Sequence, residues 1–267
     1  MVSGMSKKSE IVEKFVDLAA KSPELTEAGQ TVAKSTLTIA KAVDNCLLPI
    51  AAVNFAFDKA KKYYENRFQK DLEEVTKDIP ADNLIEPKAS VAAPVLQGLA
   101  FSHEELDLKI MYLQLLNTAM DGRKAGSAHP AYAQIIRQLT SDEARLLNQV
   151  IDAGPRIPIV MLTERSEIGI RTIRKHIIEY VDLGTGEQIA APQLPAMIDN
   201  WMRLGLVSVT YDSHLVAKGV YDWAQSRPEY IEFKKKVEKK VEIKKGIMEL
   251  TAFGSSFAIA VGKNPRS

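Results

Sequence analysis

The stretch KKGIMELTAFGSSFAIAVG, residues 244–262, joins a short alternating apolar pattern to a Leu-Thr step and a glycine. Met248 and Leu250 flank a charged residue, which is the period of a β-strand with one buried face. We expect a strand that Gly246 begins and Gly254 ends. Most of the remaining sequence has helical periodicity, so this strand needs a partner elsewhere in the chain.

The partner is predicted in MRLGLVSV, residues 202–209. A helix would end at this segment, Gly205 would take the left-handed conformation of a corner, and a strand would leave with Leu206 in the core. The returning strand of residues 244–254 would then pair with it. A helix followed by an outgoing and a returning strand resembles the end of a winged helix-turn-helix domain.

We therefore predict a mainly α protein with two domains. Residues 1–135 would form a helical domain, and residues 136–267 a winged-helix-like domain with a small β-hairpin wing. A basic helix over about residues 222–245 would be inserted into the second domain. The segment RTIRKHIIEYV, residues 171–181, also has a helical pattern.

Two capping boxes mark predicted helix starts. Ser102 with Glu105, and Thr140 with Glu143, have the spacing at which two side chains satisfy N–H groups of a first turn. The helix after Ser102 carries two apolar stripes, which predicts a helix buried from both sides.

Composition narrows the classes of function. A formal net charge of +1 gives no general attraction to nucleic acid or anionic membranes. The single cysteine, Cys46, allows neither an internal disulfide nor a multi-thiolate metal site, and it fits a reducing compartment. The first residues lack the apolar core of a signal peptide, so we expect a cytoplasmic protein.

An apolar segment at residues 45–57 has two interpretations. It is too short to span a bilayer and contains Pro49, which favours a buried core helix or hairpin. The alternative is a segment that inserts into a membrane after a conformational change, since a basic and aromatic flank follows it.

Candidate binding residues occur in two places. The helix before Gly205 offers polar side chains that could read nucleic acid, although Asp199 lies among them. The inserted helix is rich in lysine interleaved with glutamate, which is typical of a solvated face or, alternatively, of a phosphate-binding surface. The candidates are Gln193, Asn200, Arg203, Lys234, Lys235, Lys236, Lys239, Lys240, Lys244 and Lys245.

No catalytic signature occurs in the sequence. There is no P-loop, nucleophile elbow, paired-histidine metalloprotease motif or cysteine-based zinc spacing. His103 and His129 lie at predicted helix ends, and His176 and His214 have no carboxylate at ligand spacing. We predict a non-enzymatic protein without catalytic residues, cofactor or metal, although residues distant in sequence could still converge on an active site.

The middle of the chain carries a more specific pattern. Residues 85–147 contain LLNTAMDG and then HPAYAQIIRQLTSDEARLL, which resemble the motifs of the abortive infection alpha family of bacterial and phage proteins. The matching residues are Leu115, Leu116, Ala119, Met120, Asp121, His129, Pro130, Ala131, Tyr132, Ile135, Ile136, Gln138, Leu139, Asp142, Glu143 and Ala144.

The resemblance implies a role in phage resistance and brings no catalytic residue or cofactor. For the motif residues Asp121, His129, Pro130, Tyr132, Gln138 and Glu143 we predict structural roles, with Asp121 and Arg123 pairing with or capping neighbouring backbone. We predict an anti-phage protein that binds a macromolecule, most readily a protein, through its second domain. Alternatives are a membrane-acting effector using residues 45–57 and a DNA-binding regulator; a homo-oligomer is compatible with each.

Overall fold

The structure is a computed structural model that describes residues 54–181, 184–236 and 241–264. Our predictions for Cys46, for most of the apolar segment, and for Lys239 and Lys240 therefore lie outside the described residues. The described chain divides into two compact units. Residues 54–148 with 257–263 form what we call the helical unit, and residues 149–256 with 264 form the sheet unit.

The helical unit is built from short helices joined by tight turns. They are α1 (Asn54–Asn66), α2 (Phe68–Thr76), α3 (Ala89–Ser102), α4 (Leu106–Met120) and α5 (Ala131–Ile136), with 3-10 turns at Ala81–Asn83 and Ala125–Ser127. Helix α6 (Ser141–Ala153) spans the division between the units.

Helix α4 is the centre of this unit. Its stripe of Leu108, Met111, Leu115 and Ala119 is buried. Helix α3 approaches it so closely that a Cβ at Gly98 would lie 2.2 Å from Cζ of Tyr112. The second stripe behaves differently, because Leu106 and Ile110 near the start of α4 are 62% and 44% exposed. The prediction of a helix buried from both sides is therefore wrong for its first turns.

One of the two predicted capping boxes is present. At the start of α6 the backbone N–H of Thr140 donates to Glu143 Oε2 at 2.8 Å, and the N–H of Glu143 donates to Thr140 Oγ1 at 3.2 Å. These reciprocal bonds confirm the prediction for this helix. The other box is wrong: Ser102 ends α3, and Glu105 precedes α4 without a side-chain capping bond.

The sheet unit contains four antiparallel strands in the order β2-β1-β4-β3. They are β1 (Arg156–Ser166), β2 (Gly169–Ile178), β3 (Val207–Thr210) and β4 (Val241–Leu250), with α7 (Leu194–Arg203), a 3-10 segment (Asp222–Ser226) and α8 (Pro228–Lys236) between strands. Strand β1 pairs with β4 over nine residues, from Arg156 opposite Glu249 to Glu164 opposite Val241.

Helices and loops pack against the sheet. Helix α7 contacts β2 and β3, and its side chains Leu194, Ile198 and Trp201 are buried. A separate apolar cluster joins Val160 and Leu162 of β1 to Tyr221, Trp223 and Ala224 of the 3-10 region.

The predicted fold class is wrong, because the protein is a mixed α/β structure and not a mainly α one with a small wing. Residues 171–181 do not form a helix: they lie mainly in β2, which pairs with β1 as a long hairpin. The inserted helix is also shorter than predicted, since α8 ends at Lys236 and β4 already begins at Val241. The predicted pairing of residues after Gly205 with the stretch near Met248 is present, as β3 with β4, but inside this larger sheet.

The step from Leu250 to Thr251 leads from the end of β4 directly into a helix. Thr251 Oγ1 accepts the N–H of Gly254 at 2.8 Å, which caps α9 (Ala252–Ala260), and donates to the carbonyl of Gly205 at 2.5 Å. Gly205 has the predicted left-handed φ of 74°. Gly246 lies inside β4, so the predicted strand limits at Gly246 and Gly254 are both wrong.

Gly254 has no room for a side chain. A Cβ at this position would lie 1.9 Å from the carbonyl oxygen of Leu206 and 2.8 Å from its carbonyl carbon. Both atoms belong to the backbone at the corner between α7 and β3, so no rotamer change can relieve the overlap. The first turn of α9 therefore packs directly against the backbone of this corner.

We expect Gly254→Ala to lower the free energy of unfolding by about 1–3 kcal/mol, the usual range for overpacking, because the corner or the helix must shift. Gly126→Ala is the matched control, since a Cβ there meets nothing within 4 Å. Urea unfolding of both variants measures the difference. Equal free energies of unfolding for the two variants would contradict the close packing of Gly254 against the Leu206 backbone.

Candidate functional site

The predicted nucleic-acid residues at α7 are Gln193 before the helix and Asn200 and Arg203 in its last turn. Gln193 precedes the helix and is exposed. Arg203 donates from Nε and Nη2 to Asn200 Oδ1 at 3.2 and 2.7 Å, so these two side chains bond to each other. Asp199, exposed on the same helix, adds a negative charge.

The described candidate lysines are spread over two elements. Lys234, Lys235 and Lys236 lie at the exposed end of α8, whereas Lys244 and Lys245 lie side by side in β4 and therefore on opposite faces of the strand. Lys236 forms an ion pair with Glu232. The Nζ atoms of Lys234 and Lys245 lie 5.6 and 5.2 Å from the ring centres of Tyr230 and Tyr221.

A cleft of about 1220 Å³ lies in the sheet unit beside α8. We call it the sheet-unit cleft. Its apolar side chains come from Pro158, Val220, Trp223, Pro228 and Ile231. The remaining lining residues are Glu179, Gly186, Glu187, Gln188, Gly219, Asp222, Ser226, Glu232 and Lys235.

The polar lining of this cleft is mainly acidic. Glu179, Glu187, Asp222 and Glu232 are exposed carboxylates, and Lys235 is the cation among the described lining residues. Lys236 contributes a second cation nearby through its ion pair with Glu232, and this hydrogen bond lowers the pKa of Glu232. The cleft therefore joins an apolar surface to a negative potential, an environment that disfavours phosphate.

A buried arginine holds the walls of the cleft together. Arg227 is fully buried and donates to both carboxylate oxygens of Glu229, at 3.0 and 2.8 Å. Its Nη1 donates to the carbonyl of Tyr180 at 3.0 Å and to Gln188 Oε1 at 3.1 Å. Glu229 also accepts the N–H of Ala191 at 3.2 Å. One ion pair thus ties the end of β2 and the loop before α7 to the start of α8.

A second polar cluster surrounds His176. Its Nε2 lies 3.2 Å from Asp199 Oδ1 of α7, and its Nδ1 lies 3.2 Å from the Tyr211 hydroxyl, which accepts the backbone N–H of His176 at 3.0 Å. Because that hydroxyl accepts from the backbone, it is set to donate to Nδ1. This leaves the ring proton on Nε2, where it donates to Asp199.

The backbone at His176 is unusual. Its φ of 56° lies in the left-handed region, and the pairing of β1 with β2 shifts register next to it, which marks a β-bulge. Such a conformation is strained for a non-glycine residue. The bulge aims a buried side chain at α7 and Tyr211. Burial lowers the pKa of His176 below its ordinary value, Lys175 acts in the same direction, and Asp199 opposes them.

Gly246 makes room for this cluster. A Cβ there would lie 2.5 Å from the Thr210 carbonyl oxygen and 2.6 Å from Cδ1 of Tyr211. The absence of a side chain therefore lets the Tyr211 ring lie against β4. Burial raises the pKa of Tyr211 to about 12, so its hydroxyl keeps its proton at neutral pH.

Sequence reasoning missed both clusters. Arg227 and Glu229 are two residues apart around Pro228, a spacing that identifies no site. His176, Asp199 and Tyr211 come from a strand, a helix and a loop, and the sequence carries no signal that they meet.

The family-motif residues form local contacts in the helical unit. Asp121 is buried, and its carboxylate accepts the backbone N–H, Nε and Nη2 of Arg123 at 3.0, 2.8 and 2.6 Å. These bonds hold the pKa of Asp121 below its ordinary value. His129 Nδ1 accepts the N–H of Ala131 at 3.1 Å beside Pro130, the N-cap residue of α5.

The remaining motif residues also bond or pack nearby. Tyr132 is buried with its ring edge-on to Phe257 at 5.5 Å. Gln138 donates to the carbonyl of Gln134 at 3.0 Å, and Glu143 belongs to the capping box of α6.

The described part of the chain contains neither a metal-binding cluster nor a membrane-spanning helix. No three His, Cys, Asp or Glu side chains of residues 54–181, 184–236 and 241–264 gather closely enough to hold a metal ion. None of the helices in those ranges combines the length and the apolar character needed to cross a bilayer.

The His176 cluster predicts a pH dependence of stability. Because the pKa of His176 is lowered in the folded state, the unfolded chain binds this proton more tightly. The contribution to stability is present above the ordinary histidine pKa and is lost as pH falls through the folded-state value. We expect the free energy of unfolding to decrease between pH 7 and pH 5, and His176→Asn to reduce that decrease, since asparagine tolerates the left-handed backbone.

Chemical unfolding at a series of pH values measures this effect. The same substitution at exposed His214 is the control. If the free energy of unfolding of His176→Asn changed with pH as steeply as that of the unaltered protein, His176 would not be the cause of the pH dependence.

Comparisons with known proteins agree with the motif-based resemblance. The family model described as abortive infection alpha matches residues 58–261. The comparisons with curated proteins and with solved structures gave no match. The matched residues span most of the chain and include the motif from Leu115 to Ala144, so the resemblance is confirmed and the chain belongs to the abortive infection alpha family.

Proposed function

We propose that the protein acts in anti-phage defence of the abortive infection type by binding a protein partner in the sheet-unit cleft, without catalysing a reaction. Family membership supports the defence setting. The observation that carries the choice of partner is the combination of exposed carboxylates and apolar side chains around one cleft. The matching ligand is a protein segment that carries both basic and apolar side chains.

The chemistry of the cleft supports this choice over nucleic acid. Glu179, Glu187 and Asp222 would repel phosphate and attract lysine or arginine, which speeds encounter and selects among partners. Ile231, which is 41% exposed, and half-buried Val220 offer apolar area to the same segment. The Arg227–Glu229 network joins the walls before any partner arrives, which reduces the ordering cost of binding.

The DNA-binding alternative has weaker support. Lys236 is engaged by Glu232, and Lys244 and Lys245 point to opposite faces of β4. Helix α7 would bring Asp199 towards a phosphate backbone together with Arg203. The membrane-acting alternative depends on the apolar segment of residues 45–57, most of which lies outside the described residues.

The sheet-unit cleft is tested by reversing two of its charges. We expect Glu187→Lys/Asp222→Lys to reduce protection against a restricted phage by about tenfold or more, because a basic partner segment would meet repulsion in place of attraction. Asp82→Lys/Glu86→Lys is the matched control, since it makes the same change of charge at exposed positions in the helical unit. Efficiency of plating measures protection, and circular dichroism checks that both variants fold.

A third variant separates protein from nucleic acid. Lys235→Glu/Lys236→Glu would abolish protection, and any DNA affinity would fall steeply with salt, if the protein bound DNA through α8. Full protection by the Glu187→Lys/Asp222→Lys variant would overturn the proposal. Pull-down from nuclease-treated infected cells with the unaltered protein and the acidic-site variant then identifies the partner, including a second copy of the chain.

A further inference from the structure

We propose that the helical unit holds a separate binding site for a small phosphate-bearing ligand of nucleotide size. The site is a cavity of about 640 Å³ between α1, the α1–α2 junction and the start of α4. This volume lies within the usual range for small-molecule sites. We call it the basic cavity, and it shares no residue with the sheet-unit cleft.

The basic cavity has a surplus of positive charge. Among its described lining residues, Lys59, Lys62, Arg67 and Lys109 are cationic, and Glu104 is the carboxylate. Glu104 forms an ion pair with Lys59 at 2.7 Å. Lys109 is paired behind the cavity with Asp71 at 2.9 Å. Even with Asp71 counted, cations outnumber carboxylates by two, which suits a ligand with at least two negative charges.

The cationic groups are partly held in place before a ligand binds. The side chains of Lys109 and Asp71 are only 13% and 18% exposed, and Asp71 also accepts the Tyr63 hydroxyl at 3.1 Å. An ammonium group has three N–H donors, so the bond to Asp71 leaves Lys109 able to donate to a ligand oxygen. A charge fixed in a half-buried position binds an anion more strongly than a fully solvated one does.

Arginine adds directional donors, and a histidine lies beside them. The His103 ring stacks on Tyr63 at 4.8 Å, and its Nδ1 lies 3.3 and 3.2 Å from the carbonyls of Leu99 and Ala100. Both neighbours are acceptors, so Nδ1 carries a proton, and in the neutral ring Nε2 is an acceptor that can receive a hydroxyl or amino hydrogen of the ligand. Arg67 contributes a planar guanidinium, the side chain best suited to bidentate contact with phosphate.

An apolar residue completes the site. Leu106 lines the same cavity and is 62% exposed. Its side chain can cover the organic part of a ligand whose phosphates contact Lys62, Arg67 and Lys109. The combination fits an organic phosphate better than an inorganic ion.

Titration calorimetry of the full chain with ATP, without added metal and at 150 mM salt, tests the site. We expect saturable binding that inorganic triphosphate displaces and adenosine does not, because the phosphates meet the cations. Lys62→Gln/Arg67→Gln should weaken binding at least tenfold. The matched control is Lys70→Gln/Lys88→Gln, which removes the same charge from exposed positions of the helical unit outside the cavity and should bind as the unaltered protein does.

Several outcomes would overturn this proposal: no saturable heat, equal weakening in both double variants, displacement by adenosine, or preferential binding of a single-stranded oligonucleotide that depends on Lys62 and Arg67. The Glu187→Lys/Asp222→Lys variant should bind ATP unchanged. The proposal of a ligand in the basic cavity and the proposal of a protein partner in the sheet-unit cleft can therefore be rejected independently of each other.

Discussion

The nine-residue pairing of β1 with β4 is the constraint on which the sheet unit depends. It joins residues that are 77 to 93 positions apart in the chain and sets which β4 side chains lie on each face. On β4, Gly246 lies against Tyr211, which follows β3, while Lys245 lies over Tyr221 on the other face. Because β3 pairs with β4 and β2 pairs with β1, a one-residue slip between β1 and β4 would move Tyr211 relative to His176 and remove the contact between its hydroxyl and the histidine ring.

Although the net charge is only +1, the protein has two regions of opposite electrostatic potential. The sheet-unit cleft is acidic, and the basic cavity carries a surplus of lysine and arginine. Each lies within one unit, so each can attract a different class of ligand. Composition alone suggested no strong partner preference, because charges of opposite sign cancel in the sum over the whole chain.

Local sequence signals succeeded where the interactions are short-range. The Thr140–Glu143 capping box, the left-handed Gly205 and the helix before it depend on neighbouring residues, and all three are present. The helix prediction for residues 171–181 was wrong because Ile173 and Ile177 have the spacing of a helix as well as β-branched side chains that suit a strand. Pairing with β1 decided between the two, since it gives β2 a partner strand on one side from Gly169 to Ile178, apart from the bulge.

By itself, the sequence determined the family, through the motif from Leu115 to Ala144, and the caps and corners that depend on a few adjacent residues. The sequence also has glycine at positions 246 and 254, but it does not show why a side chain is absent there. Only the tertiary structure decided that these glycines admit Tyr211 and the Leu206 backbone, that four strands replace a small wing, and that Arg227 joins the cleft walls. The physical reason is that strand pairing and buried ion pairs join residues far apart in the chain, and neither periodicity nor local spacing records which partners will meet.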